Sequence, residues 1–312
     1  MIILVVGAGG QLGSELVNSG VLDRHTVLRA DRNESENSES DKSYVLDVTD
    51  FAALADFFQS HRVDLVVNAT GYTAVDKAES DRDEAFLINA QAVANLAEIC
   101  ARHGCVLLHF STDYVFDGER KTPYLESSPT CPLSEYGKSK LAGERLLAEK
   151  LDRFIILRIG WLFGVNGHNF VKTMLRLGAE NGVVKVVADQ KGAPTGVRSI
   201  ANAVARIVQH DAFGKADFPW GVYHLPSSPA VTWYQFAETI FAQALELGLI
   251  SKTVKVEPIA SAQYPTPVKR PENSVLHSEL MADVFGIEPF DWQTDLRMML
   301  QTLKAQARQA ES

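Results

Sequence analysis

Residues 2–13 of the chain read IILVVGAGGQLG. The five apolar residues Ile2–Val6 are typical of a strand buried in a parallel sheet, and glycines follow at positions 7, 10 and 13. Glycine suits these positions because the chain must turn tightly, approach a pyrophosphate with its backbone and pack a helix closely on the strand. The N-terminus of that helix offers N–H donors and a partial positive charge. We therefore predict a dinucleotide-binding turn in which Gly7, Gly10 and Gly13 contact the cofactor; the alternative is a tight turn that binds no ligand.

Short β-branched runs alternate with helical patterns through the first half of the chain. The predicted strands are Ile2–Val6, Thr26–Ala30, Tyr44–Leu46, Val63–Asn68, Val106–Ser111 and Phe154–Ile159. Apolar residues recur at helical spacing between most of them, for example over 83–102 and 134–150. This alternation predicts an α/β fold, a Rossmann-like doubly wound parallel sheet with right-handed crossovers. The acidic, serine-rich segment Asn33–Ser43 is predicted to be a solvated loop.

The pattern changes after about residue 160, where proline and glycine become more frequent and strands sparser. The predicted strands are 183–187, 222–225 and 254–259, and the predicted helices are 169–180, 199–210, 232–247 and 291–307. We expect residues 1–160 to form an NAD(P)-binding domain, with parts of 183–225 completing its sheet. Residues 161–312 are expected to form mainly a smaller C-terminal substrate-binding domain.

Composition excludes several classes of protein. Of 312 residues, 46% are hydrophobic and 22% charged, ordinary values for a globular chain, and the net charge of −9 argues against binding to nucleic acid or anionic membranes. No apolar stretch approaches the length of a membrane span, and the apolar N-terminus lacks the features of a signal peptide. Cys100, Cys105 and Cys131 are too few and too irregularly spaced for a disulfide framework or a zinc site. We therefore expect a cytoplasmic protein with reduced thiols and no metal.

Two positions bear on the choice of cofactor. Asp31 closes the second strand 18 residues after Gly13, where a carboxylate would hydrogen-bond the adenosine ribose and favour NADH. Arg32 follows directly and could instead bind the 2′-phosphate of NADPH, so both cofactors stay open. Asp47 and Val48 follow the third strand and are predicted beside the adenine, although Asp47 could equally cap the next helix.

Tyr136 and Lys140 lie four residues apart at the start of a predicted helix, which places both side chains on one face. A phenol with an ordinary pKa near 10 is a poor proton donor at neutral pH unless a nearby ammonium lowers that pKa. A tyrosine and a lysine occur at this spacing often by chance. The pair therefore indicates catalysis only because a dinucleotide-binding motif precedes it in the chain. Ser111-Thr112-Asp113 ends the fifth strand at the edge where such sheets bind ligands. The Thr112 hydroxyl can orient a substrate oxygen toward Tyr136, or it can simply cap the loop.

Together these motifs resemble the extended short-chain dehydrogenase/reductase superfamily and, more narrowly, the dTDP-4-dehydrorhamnose reductases. The matching stretches are Gly10–Gly13 (GQLG), Tyr72–Glu79 (YTAVDKAE), Ser111–Gly118 (STDYVFDG), Asn169–Met174 (NFVKTM), Asp189–Thr195 (DQKGAPT) and Arg270–Ser274 (RPENS). They span nearly the whole chain, and the second and third are specific to this branch.

The resemblance implies reduction of the C4 keto group of dTDP-4-dehydro-β-L-rhamnose to dTDP-L-rhamnose, the last step of dTDP-rhamnose synthesis, with NADPH or NADH. It implies that Tyr136 is the general acid, that Lys140 lowers its pKa and contacts the ribose, and that Thr112 orients the substrate. The further cofactor contacts that it implies are Gln11, Leu12, Asn68, Ala69, Thr70 and Tyr72. The further substrate contacts that it implies are Thr73, Val75, Asp76, Tyr114, Trp161, Asn169 and Arg270.

For four of these residues a purely structural role is the alternative: core packing for Val75 and Trp161, and a solvated charge for Asp76 and Arg270. A sugar diphosphate does need a cation, which favours a binding role for Arg270.

Two other functions share this scaffold. A sugar-nucleotide dehydratase would need an Asp-Glu pair after Thr112, where this chain has Asp113 and Tyr114; an epimerase or another sugar-nucleotide reductase also stays open. The other function is non-catalytic, that of the regulatory subunit of methionine adenosyltransferase. The joint presence of Thr112, Tyr136 and Lys140 favours catalysis.

Some members of the resembled family form a magnesium-bridged homodimer through clustered glutamates. Glu15 is present here, but Val197 and Arg198 stand where a second acid is expected. We therefore predict no metal, and a homodimer stays open.

Overall fold

The computed structural model describes residues 1–33, 43–225 and 227–310. The predicted loop Asn33–Ser43 therefore lies outside the described residues except at its two ends. The strands are β1 (Ile2–Val6), β2 (Thr26–Asp31), β3 (Ser43–Val45), β4 (Leu65–Asn68), β5 (Val106–Thr112), β6 (Phe154–Ile159), β7 (Leu162–Phe163), β8 (Val183–Val187), β9 (Lys191–Gly192), β10 (Thr195–Gly196), β11 (Gly221–His224), β12 (Ser227–Ser228), β13 (Val231–Thr232), β14 (Lys255–Ile259) and β15 (Phe290–Asp291). The helices are α1 (Gln11–Asn18), α2 (Phe51–Ser60), α3 (Arg82–Phe86), α4 (Ala92–His103), α5 (Glu135–Lys150), α6 (Phe170–Asn181), α7 (Val197–Val208), α8 (Trp233–Glu246), α9 (Glu279–Phe285) and α10 (Trp292–Ala310).

A seven-stranded sheet with the order β11-β6-β5-β4-β1-β2-β3 forms the centre of the molecule. All of its strand pairs are parallel. The predicted α/β, Rossmann-like fold class is confirmed, and the predicted strands lie within two residues of the observed bounds. The strand order reverses between β1 and β4, so a crevice opens at the carboxyl ends of these two strands, where such sheets bind ligands.

Successive residues of β1 point to opposite faces of this sheet, and apolar side chains on both faces are covered by helices. Ile3 and Val5 pack into a core with α1 and α7, whereas Leu4 and Val6 pack into a second core with α2 and α4. All four side chains are fully buried, and burial of each contributes about 1.5–3 kcal/mol. These two cores make the sheet a rigid support for the residues at its edge.

A third core lies in the second half of the chain, between helices α6, α8 and α10 and the parallel pair β8–β14. Its largest fully buried side chain is Trp292, whose Nε1 donates a hydrogen bond to the carbonyl oxygen of Pro229 at 2.8 Å. Met281 and Ile287, which lie between β14 and α10 in sequence, pack with the central sheet instead. The division at residue 160 stays a prediction. Among the described helices, none combines the length and hydropathy that a membrane crossing requires.

One predicted helix differs in the structure. The pattern over 83–102 predicts one continuous helix, but a π-helical turn, Leu87–Gln91, separates α3 from α4. The N–H of Ala92 accordingly donates to the carbonyl oxygen of Leu87, five residues back. The turn directs Asn89 into the interior, where its Oδ1 accepts a hydrogen bond from the Tyr72 N–H and its Nδ2 donates one to the Ser139 hydroxyl. Such turns are frequent at functional sites.

Candidate active site

The glycine turn between β1 and α1 has the geometry that the sequence predicts. Gly7 adopts φ +76°, and a Cβ there would lie 2.9 Å from backbone atoms of Ala69 and Thr70. A Cβ on Gly13 would lie 2.0 Å from the carbonyl oxygen of Gly7, so only glycine lets α1 start so close to β1. The N–H of Gly10 donates to that same carbonyl oxygen at 3.0 Å. Gln11 and Leu12 follow as the first residues of α1. The turn leaves a cradle at the helix N-terminus that fits a dinucleotide pyrophosphate.

Asp31 ends β2 beside this turn. Its Oδ2 accepts a hydrogen bond from the Gly9 N–H at 2.9 Å, and its Oδ1 accepts one from the Arg32 N–H at 2.8 Å. The carboxylate lines a cavity of about 850 Å³ that fits the adenosine side of a dinucleotide. Arg29 lines the same cavity, and its guanidinium donates to Asn18 Oδ1 at 3.2 Å. Sequence reasoning missed Arg29, although it stands two residues before Asp31 and so on the same face of the strand.

Asp47 and Val48 follow β3. The Leu46 N–H donates to the Asp31 carbonyl oxygen at 2.8 Å, which brings this segment beside β2. Asp47 is exposed and accepts bonds from the backbone and hydroxyl of Thr49, whereas Val48 is buried. The alternative that Asp47 caps the next helix is wrong: the cap of α2 is Asp50, whose side chain accepts from two N–H groups of the first turn.

The segment after β4 passes close to the glycine turn. The Ala69 N–H donates to the Val6 carbonyl oxygen at 3.0 Å, and the buried Asn68 accepts bonds from the backbone and hydroxyl of Thr70. This geometry places Asn68, Ala69 and Thr70 at the switch point of the sheet. The three residues are therefore adjacent to the cradle of the first strand, and their contact with the cofactor stays a prediction.

Tyr72 is held by the π-helical turn. Asn89 accepts a bond from the Tyr72 N–H at 2.9 Å and donates one to the Tyr72 carbonyl oxygen at 3.0 Å. The same amide donates to the hydroxyl of Ser139 on α5 at 3.0 Å. The Tyr72 hydroxyl itself donates to Asp81 at 3.1 Å. Asn89 thus connects the loop after β4 to the helix that carries Tyr136, a role that sequence reasoning missed.

Thr112, Tyr136 and Lys140 come together where β5 ends and α5 begins. The Ser134 side chain caps α5, so its first turn starts at a fixed point and buries both Tyr136 and Lys140. Thr112 accepts a bond from the Tyr114 N–H, and its hydroxyl donates to Asp113 Oδ1 at 3.0 Å. Burial raises the pKa of Tyr136, and a hydrogen bond with Thr112 opposes that rise. The hydroxyl and the phenol can therefore act on one substrate oxygen.

Burial, however, dominates the protonation of this pair. It raises the pKa of Tyr136 to about 12 and lowers the pKa of Lys140 to about 8, against the opposing charge of Glu144. The Lys140 ammonium donates to the carbonyl oxygen of Phe110 at 2.6 Å. The expectation that Lys140 holds the phenol's pKa below its usual value is wrong for this structure. Tyr136 is protonated at neutral pH, which is the form that a general acid needs.

The residues that the resemblance assigns to the substrate fall into two groups. Val75 and Tyr114 pack with Tyr136, and the Tyr114 and Tyr136 rings meet edge to face at 5.7 Å. Asp76 accepts a bond from Arg270 at 3.0 Å, which joins the loop after β4 to the second half of the chain. Asp76 Oδ1 and Arg270 Nε are buried without a protein partner among the described residues, so both can bind a ligand.

Arg270 also lines a cavity of about 760 Å³ in the second half of the chain. Lys185 and Lys269, which sequence reasoning missed, line it as well and supply further positive charge. Such a cavity, with three cations on its wall, fits a diphosphate.

Trp161, Asn169 and Thr73 complete the predicted set. Trp161 adopts φ +48° and stacks on Trp233 with ring centroids 3.4 Å apart. Asn169 caps α6 and donates to Gln11 Oε1 at 2.7 Å, so it connects the 760 Å³ cavity, which it lines, to the glycine turn. Thr73 is exposed at the loop surface.

Glu15 lies on α1, in a cavity of about 250 Å³ that Arg198 and Asp295 also line. Burial raises the pKa of Glu15, and Arg198 opposes this. Within the described ranges, no group of three or more histidine, cysteine or acidic side chains is placed to hold a metal ion.

Comparisons with known proteins cover almost the whole chain. A family model described as RmlD substrate binding domain matches residues 1–305. A dTDP-4-dehydrorhamnose reductase from Burkholderia thailandensis is 41% identical over 313 residues, which are 98% of this chain and 100% of the relative. The crystal structure of such a reductase from Clostridium acetobutylicum has a TM-score of 0.86 at 34% identity, covering 97% of this chain and 100% of that one. Another, from Bacillus anthracis in complex with NADP, has a TM-score of 0.84 at 31% identity, with coverages of 96% and 98%.

Proposed function

The chain belongs to the dTDP-4-dehydrorhamnose reductase family, and from this premise we propose that it reduces the C4 keto group of dTDP-4-dehydro-β-L-rhamnose to give dTDP-L-rhamnose. The observation that supports this best is the meeting of the Thr112 hydroxyl and the protonated Tyr136 phenol at the carboxyl edge of the sheet. NADPH or NADH, when bound, supplies the hydride. The side chains must then bind the two molecules, orient the carbonyl and deliver one proton.

Tyr136 delivers that proton. With a pKa of about 12, the phenol keeps its proton at neutral pH until negative charge develops on the substrate oxygen. When the substrate binds, the Thr112 hydroxyl turns its proton from Asp113 Oδ1 to the same oxygen and fixes its direction. Lys140 stabilises the phenolate that forms, since its ammonium lies one helical turn away on the same face of α5. The buried surroundings of this trio strengthen each of these interactions.

The dinucleotide is held by the glycine turn and the residues beside it. Gly7, Gly10 and Gly13 admit the pyrophosphate, and the start of α1 provides N–H donors. Asp31 accepts hydrogen bonds and favours a free ribose, whereas Arg29 near it favours a 2′-phosphate. These opposite preferences at one cavity support the use of both NADH and NADPH.

The sugar nucleotide is held by residues from both halves of the chain. Lys185, Lys269 and Arg270 provide the positive charge for a diphosphate, and Tyr114 closes the pocket beside Tyr136. Arg270 reaches across to Asp76, so the diphosphate and the reacting sugar are bound by connected groups.

Nicotinamide oxidation tests the proposal directly. Purified protein is mixed with NADH or NADPH and freshly prepared dTDP-4-dehydro-β-L-rhamnose, and loss of the reduced cofactor is followed by absorbance. Rapid oxidation supports the reductase. Cofactor binding without oxidation would refute it and favour the non-catalytic binding subunit, and elimination of water from a dTDP-hexose would favour a dehydratase.

We also propose that the chain acts in the cytoplasm and as a homodimer. Cys100 and Cys105 are buried free thiols, which suits a reducing compartment. The homodimer rests on the family resemblance. Sedimentation of the purified protein, with and without chelator, tests both the dimer and its independence from magnesium.

A further inference from the structure

His109 is a buried titratable residue that the proposed mechanism does not use. It lies in the middle of β5, between β4 and the helix that carries Lys140, and its side chain is fully buried. Its Nδ1 is 3.0 Å from Nδ2 of Asn68, and its Nε2 is 3.4 Å from Nζ of Lys140. The ring therefore spans the space between the end of β4 and the Lys140 side chain.

The hydrogen bonds of Asn68 fix the position of the proton on this ring. Oδ1 of Asn68 accepts from the Thr70 N–H at 3.0 Å and from the Thr70 hydroxyl at 2.6 Å. The amide nitrogen must then face His109 and donate to Nδ1, since an amide nitrogen cannot accept. Burial and the charge of Lys140 lower the pKa of His109 well below its ordinary value, so the ring is neutral and carries one proton. That proton is on Nε2.

The Nε2–H group consequently points toward Lys140. Two donors that face each other at 3.4 Å form no hydrogen bond, so the ammonium has no acceptor on this side. It donates instead to the carbonyl oxygen of Phe110 at 2.6 Å. The open side of the ammonium is the loop after β4, where a Cβ on Gly71 would lie 3.9 Å from Nζ.

We propose that His109 is a positioning residue for Lys140: its Nε2–H closes the sheet side of the ammonium and directs the lysine donors toward Phe110 and the cofactor side of the site. This inference rests on the proposed function, because it assigns Lys140 to the reaction. It makes the Asn68–His109 pair part of the support of the active site.

The charge of Lys140 depends on several groups around it. Glu144 and Tyr136 lie one turn away on α5, His109 faces it from β5, and Asp113 acts on Tyr136 from the end of β5. Burial lowers the pKa of Lys140 and Glu144 opposes this. We expect the facing N–H of His109 to add to the lowering, because its positive end points at the ammonium.

His109→Asn keeps the contact with Asn68 but removes the contact with Lys140. The Oδ1 atom of the shorter introduced side chain can still accept from Asn68. No group then faces Lys140 from β5, and water can enter beside the ammonium. We expect the pKa of Lys140 to rise by about one unit. Activity requires the ammonium and is lost as pH rises through its pKa, so the alkaline limb of kcat/KM should move up by the same amount. His210→Asn is the control, since this partly buried histidine just after α7 packs against Phe218 and Phe285 rather than against Lys140 or the Glu144–Arg158 pair.

Nitrogen NMR tests the inference without relying on turnover. In the wild-type chain we expect the ¹⁵N shifts of His109 to show a protonated Nε2 and a bare Nδ1. A ¹⁵Nζ titration should show a higher Lys140 pKa in His109→Asn than in the wild type and His210→Asn. An Nδ1–H tautomer, or equal Lys140 titrations in the three proteins, would overturn the inference. If His109→Asn does not fold, the tautomer measured in the wild type still tests the inference. A wild-type protein that gives the expected spectra but no activity would refute the proposed function and leave the position of the His109 proton intact.

Discussion

Glu144→Gln should destabilise the protein strongly, because it breaks a buried ion pair. Arg158 donates to the two carboxylate oxygens of Glu144 at 2.9 and 2.6 Å, and each side chain is only 5% exposed. Two charges about 4 Å apart at an effective dielectric constant of 20 attract by about 4 kcal/mol. The variant leaves Arg158 charged and buried, so we expect a loss of about 3–5 kcal/mol in the free energy of unfolding. For one-step unfolding of this chain that corresponds to a melting temperature about 5–8 °C lower.

Urea unfolding followed by tryptophan fluorescence and circular dichroism measures this loss. Glu246→Gln is the matched control, because its partner Arg297 is also an arginine but both side chains are largely exposed; no measurable change is expected there. Replacing Glu144 and Arg158 together by Leu and Met should recover much of the stability, because no unpaired charge remains. A Glu144→Gln variant as stable as the control would refute the reasoning.

The remaining predictions concern catalysis. Tyr136→Phe should lower turnover by about 10²–10⁴-fold while cofactor binding, measured by fluorescence, is unchanged; near wild-type turnover would exclude this phenol as the general acid. The wild-type kcat/KM should fall above about pH 8, where Lys140, whose pKa burial lowers to about 8, loses its proton; a profile flat to pH 10 would contradict this. Asp31→Ala should raise the NADPH/NADH ratio of kcat/KM by about tenfold, and Arg29→Ala should lower it, because the first removes a carboxylate from the ribose cavity and the second a cation. Equal ratios in all three proteins would exclude both residues from cofactor choice.

The sequence predicts the sheet well because its strands are apolar runs bounded by polar or glycine residues. β1, β6 and β8 have the predicted bounds, and the order of strands and helices leaves few topologies. The glycine turn was also predictable, since close backbone approaches restrict Gly7 and Gly13 to one residue type.

For the candidate active site, the sequence predicts which side chains of α5 share a face but not the electrostatics around them. The spacing of Tyr136 and Lys140 gives their common helix face, yet it does not reveal that both are buried, and burial reverses the expected direction of the Tyr136 pKa. Arg29 and His109 were missed because each looks like an ordinary strand residue. Their roles depend on neighbours 11 to 41 positions away in the sequence.

The π-helical turn at Leu87–Gln91 has a consequence for the phase of the two helices that it joins. A π turn holds about one residue more than an α turn, so a single helical wheel drawn through α3 and α4 assigns one of them to the wrong face. Deleting one residue here would restore a regular helix and rotate Asn89 away from Tyr72 and Ser139. The number of residues in this segment therefore determines where Asn89 lies, just as their identity determines what it binds. Homologous chains should be aligned with that extra position kept.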